Sequence, residues 1–257
     1  FTGAEMPFPQ VTLANGEKVR IDQAGYIKYR ESPVKADRDA VFKAFFSSYG
    51  EFGSTLSTTL NSHVNSLVFA RDVRKFPSTL EAALFPGNIP TSVYTQLISD
   101  VHANLPTLHR YLRLRQKIMG LPQLGYEDLY APIVASVDLN FTPEQAKQLT
   151  LDSFTPLGQE YVGTLRKGYE SGWVDFLPNT GKDPGAYSYG VYGVHPYQLM
   201  NFNGSWEEVS TLAHESGHSM HSWLSAQNQP YQTSGYTIFV AEVASTLNES
   251  LLFHHML

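Results

Sequence analysis

Residues 211–221 read TLAHESGHSMH and contain the pattern His-Glu-x-x-His. On an α-helix, residues four apart lie on one face, so His214 and His218 direct two imidazoles at one point. Glu215 lies about 100° around the helix axis from His214, which places its carboxylate beside a bound metal rather than on it. Two imidazoles, a further carboxylate and a water form a catalytic zinc site. The pattern therefore predicts one Zn²⁺ ion, with Glu215 as the base that takes a proton from the activated water.

The sequence around this pattern predicts the helix that the site requires. An Asn-Gly turn signal at 203–204 precedes Ser205 and Glu208, which form a capping box, so a helix is expected to begin near Trp206. Gly217 lies within this helix, where glycine costs about 1 kcal/mol relative to alanine. We interpret it as room for the close approach of a neighbouring helix. The alternative is an ordinary amphipathic helix with two histidines by chance, but the context favours the zinc site.

The third metal ligand separates the classes of zinc peptidase. The metzincin pattern requires a glycine at position 221 and a histidine at position 224, but this chain has His221 and Leu224 there. A thermolysin-like glutamate would fall near Ile238, and neither this residue nor its two neighbours is acidic. The next acidic residues are Glu242 and Glu249, seven apart on a predicted second helix and therefore on one of its faces. One of the two is a candidate metal ligand, and the other is a candidate to orient a ligand histidine.

Several segments together resemble oligoendopeptidase F, of the thimet-oligopeptidase-like zinc metallopeptidases. They are GAYS (185–188), HPY (195–197), NFNG (201–204), LAHESGHSMHS (212–222) and FVAEVASTLNE (239–249), with ARDVRKFPSTLEAALF (70–85) and LPTLHRY (105–111) upstream. The resemblance covers most of the chain. It implies that His214, His218 and Glu242 are the zinc ligands. It also implies that Glu215 is the general base and that the fold is mainly α, a multi-helical metallopeptidase of the zincin type.

Two residues are candidates to contact the ligand histidines on the side away from the metal. Glu249 follows Glu242 by two helical turns, and this spacing alone suggests that it orients a ligand histidine, with a solvated surface carboxylate as the alternative. His221 lies nearly one turn beyond His218 on a similar face. It is a candidate for the same kind of contact, with a histidine packed in the core as the alternative.

Residues 173–204 lack helical periodicity and are rich in glycine, proline and tyrosine. This composition predicts a small antiparallel β-sheet beside the zinc helix. An extended peptide can add itself to the exposed edge of such a sheet, whereas the alternative is a structural ribbon packed under the helix. The resemblance supports the first role, and the candidate substrate-binding residues are Ala186, Tyr187, Ser188, His195 and Tyr197.

The remaining sequence predicts helices, apart from one short hairpin. Residues 11–21 alternate around an Asn-Gly turn and predict that hairpin. Pro106 is expected to separate one long helix from the next. We therefore expect a mostly helical region over residues 1–172 and a catalytic zinc-binding region over residues 173–257, within one continuous unit.

The composition excludes several classes of protein. No apolar run approaches the roughly 18 residues that span a bilayer. The net charge of −6, with no basic block, argues against a nucleic-acid-binding surface. The chain has no cysteine, so a metal must rely on histidine and carboxylate ligands. No signal peptide is visible in this sequence, and a cytoplasmic location is our expectation.

The sequence favours a zinc-dependent endopeptidase that hydrolyses internal bonds of short peptides. Members of the family that it resembles are longer, and their groups that stabilise the transition state lie downstream of the third ligand. We therefore expect this chain to be a piece of a larger enzyme that lacks the C-terminal part, and a companion chain is one candidate partner. The alternatives are a non-catalytic fragment that binds zinc or peptide, and an exopeptidase of the same family.

Overall fold

The computed structural model describes residues 6–133 and 140–257, which are mainly helical. In chain order the elements are β1 (Gln10–Thr12), β2 (Lys18–Arg20), α1 (Gln23–Tyr29), α2 (Lys35–Glu51), α3 (Gly53–Val73), α4 (Thr79–Leu84), α5 (Thr91–Ile118), α6 (Pro143–Ser153), α7 (Gln159–Glu170), β3 (Val174–Asp175), β4 (Tyr187–Tyr189), β5 (Tyr197–Leu199), α8 (Trp206–Asn228) and α9 (Ile238–Met256). Across the two described ranges, no helix combines the length and the hydrophobicity that crossing a membrane requires.

The chain forms two compact units, of which one holds Pro7–Ala135 and the other holds Ser136–Leu257 with the first few residues. The predicted boundary at 172/173 therefore falls inside the second unit. The physical reason is a shared core, because Phe154 of the α6 end and Leu165 of α7 are buried in one cluster with Leu212 of α8. Helices α6 and α7 belong with the predicted metal site rather than with the N-terminal helices.

In the first unit the predicted hairpin is confirmed. β1 and β2 pair antiparallel, and the turn between them uses Gly16 at φ +86°, a left-handed conformation that glycine adopts without strain. The backbone N–H of Glu17 donates to the Asn15 side-chain oxygen at 3.0 Å. The hairpin packs on α1 and α2, and the buried side chains are Leu13, Val19, Ile21, Tyr26, Val41 and Phe45.

A buried ion pair also stabilises this unit. Arg38 Nη2 donates to Asp128 Oδ1 at 2.8 Å, and both side chains are almost completely buried. Burial acts to raise the pKa of Asp128, but the hydrogen bonds from Arg38 and from the backbone N–H of Gly125, together with the positive charges of Lys35 and Arg38, outweigh it and lower the pKa. The carboxylate is therefore favoured in the folded unit, and protonating it costs stability.

The predicted break at Pro106 is wrong, because α5 continues through this residue as a single helix from Thr91 to Ile118. Proline removes one backbone donor and leaves the carbonyl four residues earlier, that of His102, without its helical partner. Residues 101–104 are exposed, so water can satisfy that carbonyl. The cost is therefore small enough for the helix to continue.

The second unit packs helices α6 to α9 around one core beside a three-stranded sheet. Its largest completely buried side chains are Phe154, Leu165, Met200, Leu212, Met220 and Leu252. The sheet has the order β3-β5-β4, in which β5 pairs antiparallel with β4 but parallel with β3. The predicted antiparallel sheet is therefore a mixed one, because the last strand inserts between the two earlier strands. This arrangement leaves β4 at an edge.

Candidate metal centre

The helix that carries His214 and His218 begins where the sequence predicts. The Ser205 side-chain oxygen accepts from the Glu208 backbone N–H at 3.3 Å, and α8 follows from Trp206. The cap satisfies one of the backbone donors that a helix start leaves unpaired. Because α8 runs for 23 residues, the pattern lies in its middle, away from the frayed ends.

Gly217 brings α9 close to α8. A Cβ at this position would lie 2.7 Å from the Ser245 Cα and 2.8 Å from the Ala244 carbonyl oxygen, both in α9. These distances are shorter than any ordinary carbon contact, so only glycine fits without a shift. The predicted role of Gly217 is confirmed, and its effect is to hold Glu242 of α9 within reach of the α8 histidines.

Two histidines of α8 and one glutamate of α9 converge on one point. The Nε2 atoms of His214 and His218 lie 3.1 Å apart. Oε2 of Glu242 lies 3.4 Å from the first and 3.5 Å from the second. Tetrahedral zinc with bonds of about 2.0–2.2 Å separates its ligand atoms by about 3.4 Å. The three atoms therefore fit around a single ion, and they form the metal-ligand cluster found among the described residues.

A serine that the sequence analysis did not identify orients the Glu242 carboxylate. Ser245 is fully buried, and its hydroxyl donates to Glu242 Oε2 at 2.7 Å. The bond spans one helical turn, so the spacing of three residues was a possible signal. It fixes the oxygen that faces the two histidines.

Glu249 holds the ring of His214 from behind. Its Oε1 lies 2.5 Å from His214 Nδ1. A carboxylate at Nδ1 keeps the proton on that nitrogen, which leaves Nε2 free to accept a metal and fixes the ring orientation. The contact matches the arrangement that the two-turn spacing from Glu242 suggested.

Glu215 lies beside the three ligand atoms and is buried. The pKa of Glu215 is raised to about 7, chiefly by burial and also by the neighbouring Glu242 carboxylate, against the opposing effects of His214 and of the Ser188 backbone N–H. Oε2 of Glu215 is buried without a hydrogen-bond partner among the described residues. The side chain therefore offers a proton acceptor that no protein group occupies.

The pKa values of the two other α8 histidines, His218 and His221, are both lowered, which favours their neutral forms. Burial lowers the pKa of His218, and the nearby His214 lowers it further. A neutral imidazole is the form that binds metals. Burial also lowers the pKa of His221. The His221 ring stacks on Tyr236 at 3.8 Å, and its Nδ1 has no hydrogen-bond partner in the described part of the chain. The structure thus places His221 against an aromatic ring.

The predicted substrate-binding residues separate into two groups. Ser188 of the edge strand faces α8: its backbone N–H bonds Glu215, and its hydroxyl lies 2.8 Å from that of Ser219. Tyr187 and Tyr197 are half-exposed on β4 and β5. These three residues lie on the sheet beside α8.

The other two candidates have structural contacts instead. Ala186 packs against the core of the unit. The His195 ring stacks on Trp173, with ring centres 5.7 Å apart, and its Nδ1 lies 2.7 Å from the Pro196 carbonyl oxygen. This agrees with the interpretation that His195 is held in a turn.

A cavity of about 350 Å³ opens beside the cluster. It is lined by Glu207, Ser210, Thr211, His214, Glu215 and Glu249. The candidate base Glu215 and one candidate ligand, His214, thus line the same accessible space.

Two buried tyrosine contacts behind α8 were also outside the sequence-based prediction. The Tyr169 hydroxyl lies 2.7 Å from that of Ser216. The Asn248 amide of α9 donates to the Tyr161 hydroxyl at 3.0 Å and to the Ala213 carbonyl at 3.3 Å. These bonds join α7, α8 and α9 across 35 residues of sequence or more, a distance at which helical periodicity gives no signal.

Comparison with known proteins identifies the family. Residues 28–257 match peptidase family M3. The chain is 41% identical to oligopeptidase PepF of Bacillus subtilis over 99% of its own length and 38% of that protein, and 37% identical to group B oligopeptidase PepB of Streptococcus agalactiae over 99% and 42%. The crystal structure of oligoendopeptidase-F from Enterococcus faecium superposes with a TM-score of 0.60 at 31% identity, covering 99% of this chain and 38% of that one. The chain spans about two-fifths of the length of these relatives, and it belongs to peptidase family M3.

Proposed function

We propose that this protein is a zinc-dependent endopeptidase that hydrolyses internal bonds of short peptides. The observation that carries the proposal is the convergence of His214, His218 and Glu242 on one point, with the buried carboxylate of Glu215 beside it. Family membership and the names of the related oligopeptidases support the same activity.

The donor set suits zinc. Two imidazole nitrogens and one carboxylate oxygen, with a further position open, are a common set of ligands for catalytic zinc. When bound, zinc supplies Lewis acidity, which lets a water molecule lose a proton near neutral pH and polarises a peptide carbonyl. His214, His218 and Glu242 would hold the ion, and Glu249 would keep His214 in the orientation and tautomer that binding requires.

Glu215 is the group that moves the proton. Burial raises the pKa of its carboxyl above the usual range of glutamate, which favours a group that can accept a proton and release it again. It would take a proton from the attacking water and deliver it to the nitrogen of the departing amine. The Ser188 N–H keeps the side chain aimed at the cluster while the second carboxylate oxygen is left free.

The β4 edge would hold the substrate. Its free side can pair with an extended peptide, whose backbone would then run past Glu215. Tyr187 and Tyr197 would contact the peptide side chains. Backbone pairing of this kind binds many sequences, which suits an enzyme that degrades varied short peptides.

Hydrolysis of an internally quenched peptide with blocked ends tests the proposal. We expect cleavage that a chelator abolishes and that zinc restores. Glu215→Gln should retain stoichiometric zinc but lose turnover by at least about 100-fold, whereas Glu160→Gln, at an exposed position of α7, should behave like the wild type. Wild-type rates from Glu215→Gln would refute the role of this base.

The alternatives predict different results in the same assay. An exopeptidase would cleave only peptides with a free end. Because the chain spans about two-fifths of its relatives, a requirement for a companion chain is the second candidate. In that case the protein would bind zinc but leave every peptide intact until the remaining part of the enzyme is added.

A further inference from the structure

A second pocket lies in the same unit, beyond the C-terminal end of β4. Its volume is about 580 Å³, within the range of about 300–1,000 Å³ that is typical of ligand sites. Four tyrosines form its walls and α8 forms its floor; the residues that the argument uses are Tyr189, Tyr192, Tyr231, Tyr236, Ser222 and Ala226. We infer that this pocket binds a large apolar or aromatic side chain of the peptide substrate and so determines specificity. The inference rests on the proposed function.

Two of the tyrosines, Tyr192 and Tyr236, have hydroxyl groups that are engaged with other protein groups. The Tyr192 hydroxyl donates to the Gln229 carbonyl at 3.0 Å, and the Tyr236 hydroxyl lies 2.5 Å from that of Ser222. The ring of Tyr192 meets that of Tyr231 edge-on, with centres 5.4 Å apart. Aromatic surfaces arranged in this way favour another ring or a large aliphatic group.

The charge of the pocket points to the same ligand chemistry. No residue that lines it in the described part of the chain is acidic or basic. A charged side chain placed there would lose its hydration without gaining an ion partner. Tyr231 is 70% exposed, so its ring leaves apolar surface in water that a bound side chain would cover.

The position of the pocket relates it to the cleaved bond. Ser222 follows His218 by four residues, so the floor begins about 6 Å along α8 from the second ligand. An extended peptide advances about 3.3 Å per residue. A peptide on the β4 edge would therefore place in the pocket a side chain two or three residues from the bond beside Glu215.

The end of β4 lies directly against the floor. A Cβ at Gly190 would lie 2.6 Å from the Ser222 Cβ, so glycine lets the strand reach this part of α8. Tyr189, the last residue of β4, follows Ser188 directly and lines the pocket. One bound peptide can contact both β4 and the pocket.

The test uses quenched peptides that differ only in having Phe, Leu, Ala or Asp at the second or third residue on either side of the cleaved bond. At one of these positions we expect the kcat/KM of the wild type to be about tenfold higher for Phe than for Ala, and lowest for Asp. Tyr231→Ala should reduce the preference to less than about threefold, chiefly by lowering the kcat/KM of the Phe peptide. Tyr231→Phe, which keeps the ring, should retain the preference, as should Tyr126→Ala, whose tyrosine is similarly exposed at 68%.

Binding to the Glu215→Gln variant separates this inference from the proposed activity. By calorimetry, this variant should bind the Phe peptide about tenfold more tightly than the Ala peptide, and adding Tyr231→Ala should remove the difference. Cleavage with equal rates for Phe and Ala at all four positions, or a preference that survives Tyr231→Ala, would overturn the pocket but leave the peptidase intact. Selective binding without cleavage would support the pocket and refute the activity, and the absence of both would refute both.

Discussion

Replacing Gly217 with alanine tests how the metal site is built. The added Cβ would lie 2.7 Å from the Ser245 Cα and 3.0 Å from the Ala244 carbonyl carbon. Both are backbone atoms, so no side-chain rotation relieves the contact. Restoring an ordinary separation of about 3.4 Å requires α9 to move away from α8 by about 0.7 Å, because packed interiors hold few voids that could absorb the methyl group.

That movement exceeds what a zinc site tolerates. Ligand distances in working sites fall within about 0.2 Å of their usual values. Glu242 moves with α9, whereas His214 and His218 stay on α8. We therefore expect the affinity for zinc to fall by about 10- to 100-fold, comparable to the loss of a group that orients a ligand.

The stability change has two opposing contributions. Alanine in a helix gains about 1 kcal/mol over glycine, while overpacking costs about 1–3 kcal/mol. The net effect on the free energy of unfolding is a loss of up to about 2 kcal/mol. Gly163→Ala in α7 is the matched control, because its Cβ meets no described atom within 4 Å and should raise the stability by up to about 1 kcal/mol.

Competition with a chromophoric chelator measures zinc affinity, and thermal unfolding of the metal-free protein measures stability. The reasoning fails if Gly217→Ala raises the melting temperature as Gly163→Ala does while binding zinc like the wild type. That result would mean that the two helices separate freely and that their contact does not position the ligands.

Three further predictions concern individual contacts. Glu249→Gln should lower zinc affinity by about 10- to 100-fold in the same chelator competition, while its melting temperature without zinc stays near that of the wild type; unchanged affinity would show that the contact with the histidine ring is incidental. Tyr169→Phe should lower the free energy of unfolding by about 1–2 kcal/mol in urea, because the buried Ser216 hydroxyl loses its partner, with zinc affinity unchanged. Because its pKa is lowered in the folded state, Asp128 contributes stability that is fully present above the unfolded pKa of about 3.9 and is lost as the pH falls through the lower folded value. Urea unfolding between pH 2.5 and pH 6 should show this loss of stability below about pH 4 in the wild type. Asp128→Asn should be less stable than the wild type at pH 6 and should lose less stability as the pH falls.

Some features of the fold can be predicted from neighbouring residues alone. The start of α8 after its N-cap Ser205 and the hairpin around Gly16 follow from contacts within a few residues. Both predictions are confirmed. Pro106 shows the limit of this reasoning. Its helix continues because exposed carbonyls can bond water, which depends on the exposure of that surface rather than on the residue itself.

The sequence by itself determined the α8 histidine pair, because spacing of four residues on a helix is a local property. It also supplied the correct reason for Gly217 and, through resemblance to a family, the prediction that Glu242 is the third ligand, which the structure brings close to the two histidines. Only the tertiary structure decided that Ser188 reaches Glu215, that Ser245 orients Glu242, and that α6 and α7 share the core of the metal site. These contacts join atoms on different elements or fix the direction of a side chain. They depend on how whole helices and strands pack, and no period in the sequence encodes that packing.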